Sequence, residues 1–393
     1  MDYTDRICAP DETLRRVTPH LDSFGVTRLS RLTGLDRIGI PVWNAVAPNS
    51  RSIVINQGKG ITDLDAKVSA AMEALERAVA CAPQVTAVTA TPAELAACGK
   101  RALCLPSLIA AGQPDIDPDE AIDWIEGVDL FAGGGVFVPL GAATLDRSIR
   151  GNRFWQTSDG LASGNHFEEA ALHGLLERIE RDADVLWRMA SFGTRMTKCV
   201  TPRSFNDPVL DDLLDRIELA GLAVRAFDVT SDIGVPCFVV LLAPSDILAL
   251  RTPRFVDVTS GQGCHPSATR AMIRAVTEAA QSRLTYISGA RDDVFPETFA
   301  RPLPQELQDC FRADPRPAPD RSGPLSGDPK TLLDQVLLDL ERAGIDTVVA
   351  VRLSAESLPF AVVKVFAPDL ENPDGERKRR FGARALSSSL MTS

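Results

Sequence analysis

The sequence has few cysteines and histidines, and their spacing excludes the common structural uses of cysteine. Its 393 residues include 8 cysteines and 4 histidines. No two cysteines form a Cys-x-x-Cys pair, and the closest two, Cys98 and Cys104, have no histidine near them. A zinc site or a disulfide framework is therefore not expected. Reduced thiols, as in the cytoplasm, fit this spacing better.

Long apolar runs and an excess of positive charge are also missing. No apolar run approaches the roughly 20 residues that a membrane-spanning helix needs. The opening MDYTDRICAPDETLRR lacks the apolar core of a signal peptide. The net charge of −11 at pH 7 argues against non-specific nucleic-acid binding. We therefore expect a cytoplasmic protein with no nucleic acid and no membrane as a partner.

What the sequence does contain is a recurring alternation of two short apolar segments with one long helical pattern. This alternation predicts an α+β fold in which long helices cover mixed β-sheets. The flanking regions are simpler. They are a polar, helical N-terminal segment at 1–36, a Pro- and Gly-rich stretch at 312–329 that predicts a mobile loop, a helix-strand-strand unit at 331–368, and a tail at 369–393.

Three predicted helices carry polar residues where a helix normally buries apolar ones. The first covers 69–77, the second starts at Asn165, and the third follows a glycine-containing loop at 261–266. Spacings of three, four and seven residues place such side chains on one helix face. The residues that line up are Ser69, Glu73 and Glu76 in the first helix, Glu169, Glu177 and Glu180 in the second, and Arg274 and Glu278 in the third.

The acidic residues of these faces predict a metal site. Clustered carboxylates raise one another's pKa unless a cation lies between them. Mg²⁺ prefers oxygen ligands and is usually shared with the phosphates of a nucleotide. The alternative is a solvated acidic face. The neighbouring residues are mostly Ala, Leu, Val and Ile, which leaves little exposed surface and favours the metal.

The basic and neutral polar residues have two possible roles each. Arg181 and Arg274 are suited to bidentate phosphate contacts, although Arg274 could instead pair with the glutamate four residues later. Asn165 and Ser69 could contact a nucleotide, but Asn165 also stands where a helix N-cap belongs. Lys59 lies between two glycines and could meet a phosphate, although this is no Walker motif.

Three reactive residue types lie near these motifs. His173 falls on the second helix, and Cys264 and His265 follow the glycines of the third segment. Buried histidines and small buried cysteines are common in protein cores. We therefore interpret these residues as core groups rather than as catalytic groups or sulfur carriers.

Three segments in a fixed order carry a family signature. They are GKG-x8-SAAMEALER at 58–77, GLASGNHFEEAALHGLLERIERDA at 160–183 and GQGCHPSATRAMIRAVTEAAQSRLTYISGARDD at 261–293. With them the chain resembles the YcaO family, ATP-dependent enzymes that activate peptide backbone amides, over roughly 39–291. The segment LTGLDRIGIPVWNAVAPNSRSIVINQGKG is similar to the branch that makes thioamides with a TfuA-type partner protein.

The resemblance implies a YcaO-type fold at 37–393 with core motifs at 58–293, a homodimer, and ATP and Mg²⁺ bound between the long helices. The metal ligands that it implies are Glu73, Glu76, Glu169, Glu177 and Glu180. The nucleotide contacts are Lys59, Ser69, Asn165, Arg181 and Arg274, and Arg274 and Glu278 also serve catalysis. The sequence departs from the family at Ala162, where some members have serine, and it lacks a Pro-x-Pro-x-Pro ending.

The implied reaction activates a backbone amide of a peptide or protein substrate by O-phosphorylation. A sulfur donor adds to the amide carbonyl, the oxygen takes a phosphoryl group from ATP, and phosphate leaves a thioamide behind. One alternative is azoline formation, in which a Cys, Ser or Thr of a precursor peptide attacks. Another is a non-catalytic adaptor that binds ATP without peptide-dependent turnover.

Overall fold

The computed structural model describes residues 5–320, 327–372 and 381–391. Its helices are α1 (Pro10–Val17), α2 (Asp63–Cys81), α3 (Pro92–Ala97), α4 (Leu140–Ala143), α5 (Phe167–Met189), α6 (Phe192–Met196), α7 (Pro208–Leu219), α8 (Ala268–Ser288), α9 (Pro296–Ala300), α10 (Gln305–Asp309), α11 (Pro329–Arg342) and α12 (Ala383–Met391). Within these ranges, no helix combines the length and apolar character needed to cross a bilayer.

The strands form three sheets that are mainly antiparallel. They are β1 (Arg28–Arg31), β2 (Val42–Val46), β3 (Ile55–Lys59), β4 (Val88–Ala90), β5 (Ile122–Asp129), β6 (Gly135–Pro139), β7 (Leu161–Gly164), β8 (Cys199–Thr201), β9 (Leu222–Asp228), β10 (Cys237–Pro244), β11 (Thr259–Cys264), β12 (Arg316–Pro317), β13 (Val349–Arg352) and β14 (Ala361–Phe366). The sheet orders are β1-β2-β3, β11-β10-β9-β8-β12, and β4-β5-β13-β14-β7 with β6 beside β5. This arrangement confirms the α+β prediction.

Each of the three long helices follows a short strand and packs back on it. β3 leads to α2, β7 to α5, and β11 to α8. Helix α2 begins after Thr62, which forms a capping box with Asp65. The N-cap of α5 is His166, without a side-chain cap, so the alternative role of Asn165 as an N-cap is wrong.

Glycines allow these helices to lie directly on their strands. A Cβ added at Gly58 would lie 2.0 Å from the backbone nitrogen of Ala70, and one at Gly261 would lie 2.2 Å from the carbonyl oxygen of Ala275. Most of the segment predicted as a glycine-containing loop at 261–266 therefore belongs to strand β11. At Gly58 and Gly261, the close approach is to a helix backbone.

Helix α5 is central because it packs between two sheets. Its residues Leu172, Leu175 and Ile179 are fully buried, in one apolar cluster with Val239 of β10 and Val363 of β14. Burying a side chain of this size stabilises the fold by about 1.5–3 kcal/mol. This packing fixes the rotation of α5 and therefore the direction in which its glutamates point.

Two of the flanking predictions need correction. The 1–36 segment is helical at α1 and in two 3-10 turns, but Arg28–Arg31 is a strand that pairs with β2. The 312–329 segment contains β12, which pairs parallel with β8, while residues 321–326 of this predicted loop lie outside the described residues. The helix-strand-strand unit is α11, β13 and β14, and the described part of the tail contains α12.

Candidate functional site

The carboxylates of α2 face the strand that leads to α5. The Ser163 hydroxyl on β7 donates to Oε2 of Glu76 at 3.1 Å, and Arg77 Nε donates to Oε1 of Glu73 at 3.2 Å. Desolvation, and then the charges of Glu73 and Glu177, raise the pKa of Glu76 well above its ordinary value. A cation beside a carboxylate in this environment would be strongly favoured.

The glutamates of α5 and α8 extend this acidic cluster. Burial, and then the charge of Glu278, raise the pKa of Glu180 to about 7, and burial also raises the pKa of Glu177. Burial acts to raise the pKa of Glu278 too, but Lys59 Nζ lies 2.5 Å from its Oε2 and the net effect is a lowered pKa. Of these three carboxylates, Glu278 has the shortest ion pair, with Lys59.

Arg181 links α5 to strand β11, which leads into α8. Its Nη1 donates to Oε1 of Gln262 at 3.0 Å, and its Nη2 donates to Oε1 of Glu177 at 3.4 Å. Its Nε lies 3.5 Å from the Asp159 carboxylate. The backbone nitrogen of Gln262 in turn donates to Oε1 of Glu278 at 3.2 Å. The guanidinium therefore lies among the acids, where it can also bind a phosphate.

Arg274 lies on the same helix as Glu278 but contacts a histidine. Its Nη1 is 3.4 Å from Nδ1 of His173. Burial, and then the charge of Arg6, lower the pKa of His173 well below its ordinary value. The neutral ring can accept a hydrogen bond from the guanidinium. His173 therefore contacts a predicted phosphate-binding residue and helps to position it.

The N-terminal arm, residues 5–9, reaches into the same region. Asp5 is 4% exposed, and its Oδ1 accepts a bond of 2.9 Å from Arg270 Nη2 on α8. Arg6 Nη1 donates to Oε1 of Glu169 on α5 at 2.8 Å, and the backbone nitrogen of Ile7 donates to Oε2 at 3.1 Å. The arm thus contacts both α5 and α8.

Glu169 lies two helical turns before Glu177 on α5. On one helix, the eight residues from Glu169 to Glu177 span about 12 Å, so the two cannot coordinate one Mg²⁺ ion at its short bond length. Asn165 Nδ2 lies 3.2 Å from both carboxylate oxygens of Glu169, and the Thr13 hydroxyl donates to Asn165 Oδ1 at 3.0 Å. The structure therefore groups Glu169 and Asn165 with the N-terminal arm and α1.

Ser69 falls on the predicted helix, whereas the glycine-flanked Lys59 is part of a strand. Ser69 lies one helical turn before Glu73 on α2, and Lys59 ends β3. The structure thus brings together acids from three helices: Glu73 and Glu76 of α2, Glu177 and Glu180 of α5, and Glu278 of α8.

This set of residues fits Mg²⁺ bound together with phosphates. Across the described ranges, no group of three or more His, Cys, Asp or Glu side chains is already assembled to hold a metal ion. Glu76, Glu177 and Glu180 nevertheless have raised pKa values, and oxygen donors of this kind suit Mg²⁺. Burial is the main cause of these raised values, and neighbouring negative charges add to it. A cation among the carboxylates would offset both effects.

Several residues of this region had not been singled out from the sequence. Asp159, Ser163 and Gln262 lie in glycine-containing segments, where their polar character was the available signal. Arg6 and Asp5 gave no signal, because their partners lie more than 160 residues away in the chain.

The reactive residues near the motifs are buried, as expected. Cys264 is fully buried and pairs in register with Cys237, also fully buried. His265 is fully buried and its Nδ1 accepts a bond from the backbone nitrogen of Ser267 at 2.9 Å. A sulfur carrier must meet its donor and acceptor, so this burial supports a core role for Cys264.

Sequence comparison identifies the family to which this arrangement belongs. The profile described as YcaO cyclodehydratase, ATP- and Mg²⁺-binding, matches residues 57–371. An uncharacterized protein in the tfuA 3′ region of Rhizobium leguminosarum bv. trifolii is 38% identical, with 98% of this chain and 93% of that protein covered. An uncharacterized protein of Methanothermobacter thermautotrophicus is 34% identical, with 94% and 97% covered.

Solved structures show the same fold. YcaO from Methanopyrus kandleri bound with AMPPCP and Mg²⁺ superposes with a TM-score of 0.72 at 24% identity, covering 93% of this chain and 92% of that one. A heterocyclase in complex with substrate and cofactor gives a TM-score of 0.77 at 22% identity, covering 93% of this chain and 53% of that one. The chain therefore spans about half the length of the heterocyclase. This chain belongs to the YcaO family of ATP- and Mg²⁺-dependent peptide-modifying enzymes.

Proposed function

We propose that this enzyme replaces a backbone amide oxygen of a peptide with sulfur, using ATP, Mg²⁺, a sulfur donor and a TfuA-type partner protein. The observation that carries the thioamide assignment is the relative in the tfuA 3′ region, which is 38% identical and aligned over 98% of this chain. The acidic cluster between the three long helices supports the ATP-dependent part. Because 98% of this chain aligns, the relative is a guide for the whole molecule.

The acidic cluster supplies the metal-binding side chains. Glu76, Glu177 and Glu180 would hold Mg²⁺, which neutralises phosphate charge and orients a phosphoryl group for transfer. Burial raises the pKa of each of these carboxylates, and this supports a role in which a bound cation stabilises their charged form. Glu278, already paired with Lys59, would serve both the metal site and the placement of that lysine.

The basic residues around the cluster would bind the phosphates. Arg181 and Arg274 lie on α5 and α8, on either side of the acids, and Lys59 lies at the end of β3. Arg181 Nε has no hydrogen-bond partner among the described residues, so it retains a donor for a phosphate oxygen. Arg6, brought in by the N-terminal arm, adds a fourth cation beside α5.

The chemistry follows from the poor leaving ability of an amide oxygen. Hydrosulfide adds to the amide carbon, and the electron pair of the C=O π bond moves to oxygen. That oxygen bonds to the terminal phosphorus as the bond to ADP breaks. The C–O bond then breaks, the S–H proton is lost, and C=S forms. The sum is amide, HS⁻ and ATP⁴⁻ giving thioamide, ADP³⁻ and HPO₄²⁻.

Azoline formation is the second candidate, favoured by the cyclodehydratase description of the family profile. There a Cys, Ser or Thr side chain of the peptide attacks the preceding carbonyl, and the same phosphorylation removes the oxygen. The requirement for ATP and Mg²⁺ is identical. The two reactions differ in the product, because no external sulfur is incorporated in the second.

Intact-mass analysis of a precursor peptide separates the candidates. The peptide is incubated with this enzyme, a TfuA-type partner, ATP, Mg²⁺ and sulfide. We expect a mass increase equal to the exchange of one oxygen for one sulfur, dependent on ATP. A loss of one water would instead establish azoline formation. ATP binding with no peptide-dependent ATP turnover, across the candidate peptides of the partner's gene neighbourhood, would contradict both and support an adaptor.

A further inference from the structure

A small crevice lies beside residues 157–160, the segment that also contacts the acidic cluster. We call it the anion crevice. Its volume is about 50 Å³, and its lining includes Leu108, Trp155, Asp159, Arg178, Lys364 and Phe366. A water needs roughly 10–15 Å³ by this kind of measure, so the crevice has room for a few waters or one small ion.

Two buried cations line this crevice, and both have donors to spare. Lys364 is 3% exposed, and its Nζ donates to the carbonyl oxygens of Thr157 and Asp159 at 2.6 and 2.7 Å. These bonds use two of its three protons. Arg178 is 4% exposed, and its Nη1 has no hydrogen-bond partner among the described residues. An unpartnered buried donor is costly unless a ligand satisfies it.

The charges around the crevice do not balance. Asp159 and Glu177 are the acids that act on both Lys364 and Arg178, and they also act on Arg181. Asp182 also acts on Arg178 but is bound by Arg384 through two hydrogen bonds of 2.9 Å. Among the charged side chains that line the crevice itself, the cations Lys364 and Arg178 face one carboxylate, that of Asp159. The lining therefore carries one excess positive charge, which an anion would neutralise.

The crevice suits an anion with few hydrogen-bond acceptors. Arg178 Nη1 makes no hydrogen bond among the described residues, and Lys364 has one proton beyond its two bonds. A phosphate, in contrast, presents several oxygens that each need partners when buried. Much of the lining is apolar, with Leu108, Phe366 and the ring of Trp155 among it. A compact monovalent anion fits these donors and walls better than a tetrahedral oxyanion.

The crevice also adjoins the proposed reaction site. The Asp159 carboxylate lies 3.5 Å from Arg181 Nε, and the backbone nitrogen of Gly160 donates to Oε2 of Glu177 at 3.1 Å. A single chain segment therefore touches the crevice on one side and the acidic cluster on the other. Burial lowers the pKa of Lys364 to about 8, a shift that a bound anion would reverse.

We propose that the anion crevice binds hydrosulfide, the sulfur nucleophile, between Lys364 and Arg178 beside the phosphate-binding Arg181. The choice of hydrosulfide rests on the proposed function, whereas the site itself rests on the two buried cations. The crevice holds the nucleophile close to the reacting amide and apart from the acids that bind the metal.

Bromide is the first probe, because its anomalous scattering locates it directly. Crystals of the enzyme soaked in sodium bromide, without ATP or peptide, should show an anomalous peak in contact with Lys364 Nζ and Arg178 Nη1. Added hydrosulfide should remove the peak, and phosphate at equal ionic strength should not. No peak would overturn the site. A peak that phosphate removes and hydrosulfide does not would indicate a route for the phosphate product and overturn the assignment.

Kinetics test the same residue in the peptide reaction. Lys364→Met should raise KM for hydrosulfide at least tenfold and leave KM for ATP unchanged, and Lys330→Met, at an exposed lysine, should change neither. An equal rise in both KM values would mean that Lys364 only supports residues 157–160, and it would overturn the proposal. If Lys364→Met fails to fold, the displacement of bromide by hydrosulfide in wild-type crystals decides whether the proposal holds. Displacement without thioamide formation in the peptide assay would disprove the proposed function alone.

Discussion

At the scale of single residues, the acidic cluster holds carboxylates that are costly to ionise without a cation. Glu180 is 8% exposed, and Glu278 on the neighbouring helix adds to the effect of its burial. Burial and neighbouring carboxylates likewise raise the pKa of Glu76 on α2. Such groups lower stability when they are charged and recover that free energy when a metal ion binds. The free energy needed to ionise these buried carboxylates should therefore appear in the pH dependence of the protein's stability.

The first prediction concerns that pH dependence. The pKa of Glu180 is raised from 4.5 to about 7, so the folded protein keeps this proton at pH values where the unfolded chain has lost it. Its stabilising contribution is full below pH 4.5 and falls as pH rises toward 7. We expect a loss of up to about 3 kcal/mol over this window. Urea unfolding of the metal-free protein should show a shallower pH slope in Glu180→Gln; an unchanged slope would contradict the assignment.

The second prediction concerns turnover. Glu76→Gln and Glu180→Gln should each lower ATP turnover at least about 100-fold, because each removes a metal ligand. Their free energies of unfolding near pH 7 should equal or exceed that of the wild type, since an uncompensated charge is removed. Glu168→Gln, the same change in the first turn of α5, is the matched control. Normal turnover in both site variants would remove them from the metal site.

At the scale of secondary-structure elements, two features position the side chains. Glycines of β3 and β11 bring α2 and α8 into backbone contact with their strands, and the N-terminal arm ties α5 to α8 through Asp5, Arg6 and Glu169. The first feature fixes each helix on its own strand. The second links helices that belong to different parts of the chain.

Substitution of Gly261 tests the strand–helix contact. A Cβ there would lie 2.2 Å from the Ala275 oxygen and from the Ala279 nitrogen, so α8 must move, and Glu278 with it. Gly261→Ala should destabilise the fold by about 1–3 kcal/mol or more and weaken ATP binding. Gly193→Ala is the control, since a Cβ there meets nothing within 4 Å. Guanidinium unfolding and nucleotide titration measure both effects, and equal behaviour of the two variants would disprove the argument.

Glu169 offers a test of the N-terminal arm. If Glu169 holds the arm, Glu169→Gln should speed hydrogen exchange at the Ile7 amide, which donates to that carboxylate, because the bond loses its ionic character. The Mg²⁺ concentration for half-maximal ATP turnover should change little. A shift in Mg²⁺ dependence as large as that of Glu180→Gln would instead mean that Glu169 is a metal ligand, as the resemblance implies.

At the scale of the whole molecule, the site combines residues that lie far apart in the chain, from Arg6 to Glu278. Mg²⁺ and ATP should therefore stabilise the entire fold. At 100 times the dissociation constant, a ligand adds about 2.7 kcal/mol. We expect this stabilisation with ATP and Mg²⁺ together and its loss on chelation by EDTA, since the carboxylates then repel the triphosphate. Calorimetric melting measures it, and equal stabilisation by ATP in EDTA would contradict the metal site.

The homodimer that the resemblance implies stays a prediction for light scattering.

The sequence predicts those features that depend on local spacing. Glu73 and Glu76, or Glu177 and Glu180, share a face because three residues make nearly one helical turn. It does not predict contacts between segments that are distant in the chain, so Arg6 could not be placed beside Glu169. Gly261 was misread for another reason. A strand rich in glycine looks like a loop in the sequence. The sequence does not show the helix backbone that occupies the space where side chains would otherwise lie.

The reach of the N-terminal arm also has a consequence for biosynthesis. Asp5 leaves the ribosome early, while its partners His265 and Arg270 follow some 260 residues later. The same delay applies to Arg274 and Glu278, so a nascent chain cannot complete its nucleotide site until α8 has emerged. At about 5–20 residues per second, the arm waits for roughly ten seconds or more. During that interval, the acids of α2 and α5 lack Arg274 and Glu278, so the nascent chain holds only part of its proposed nucleotide site.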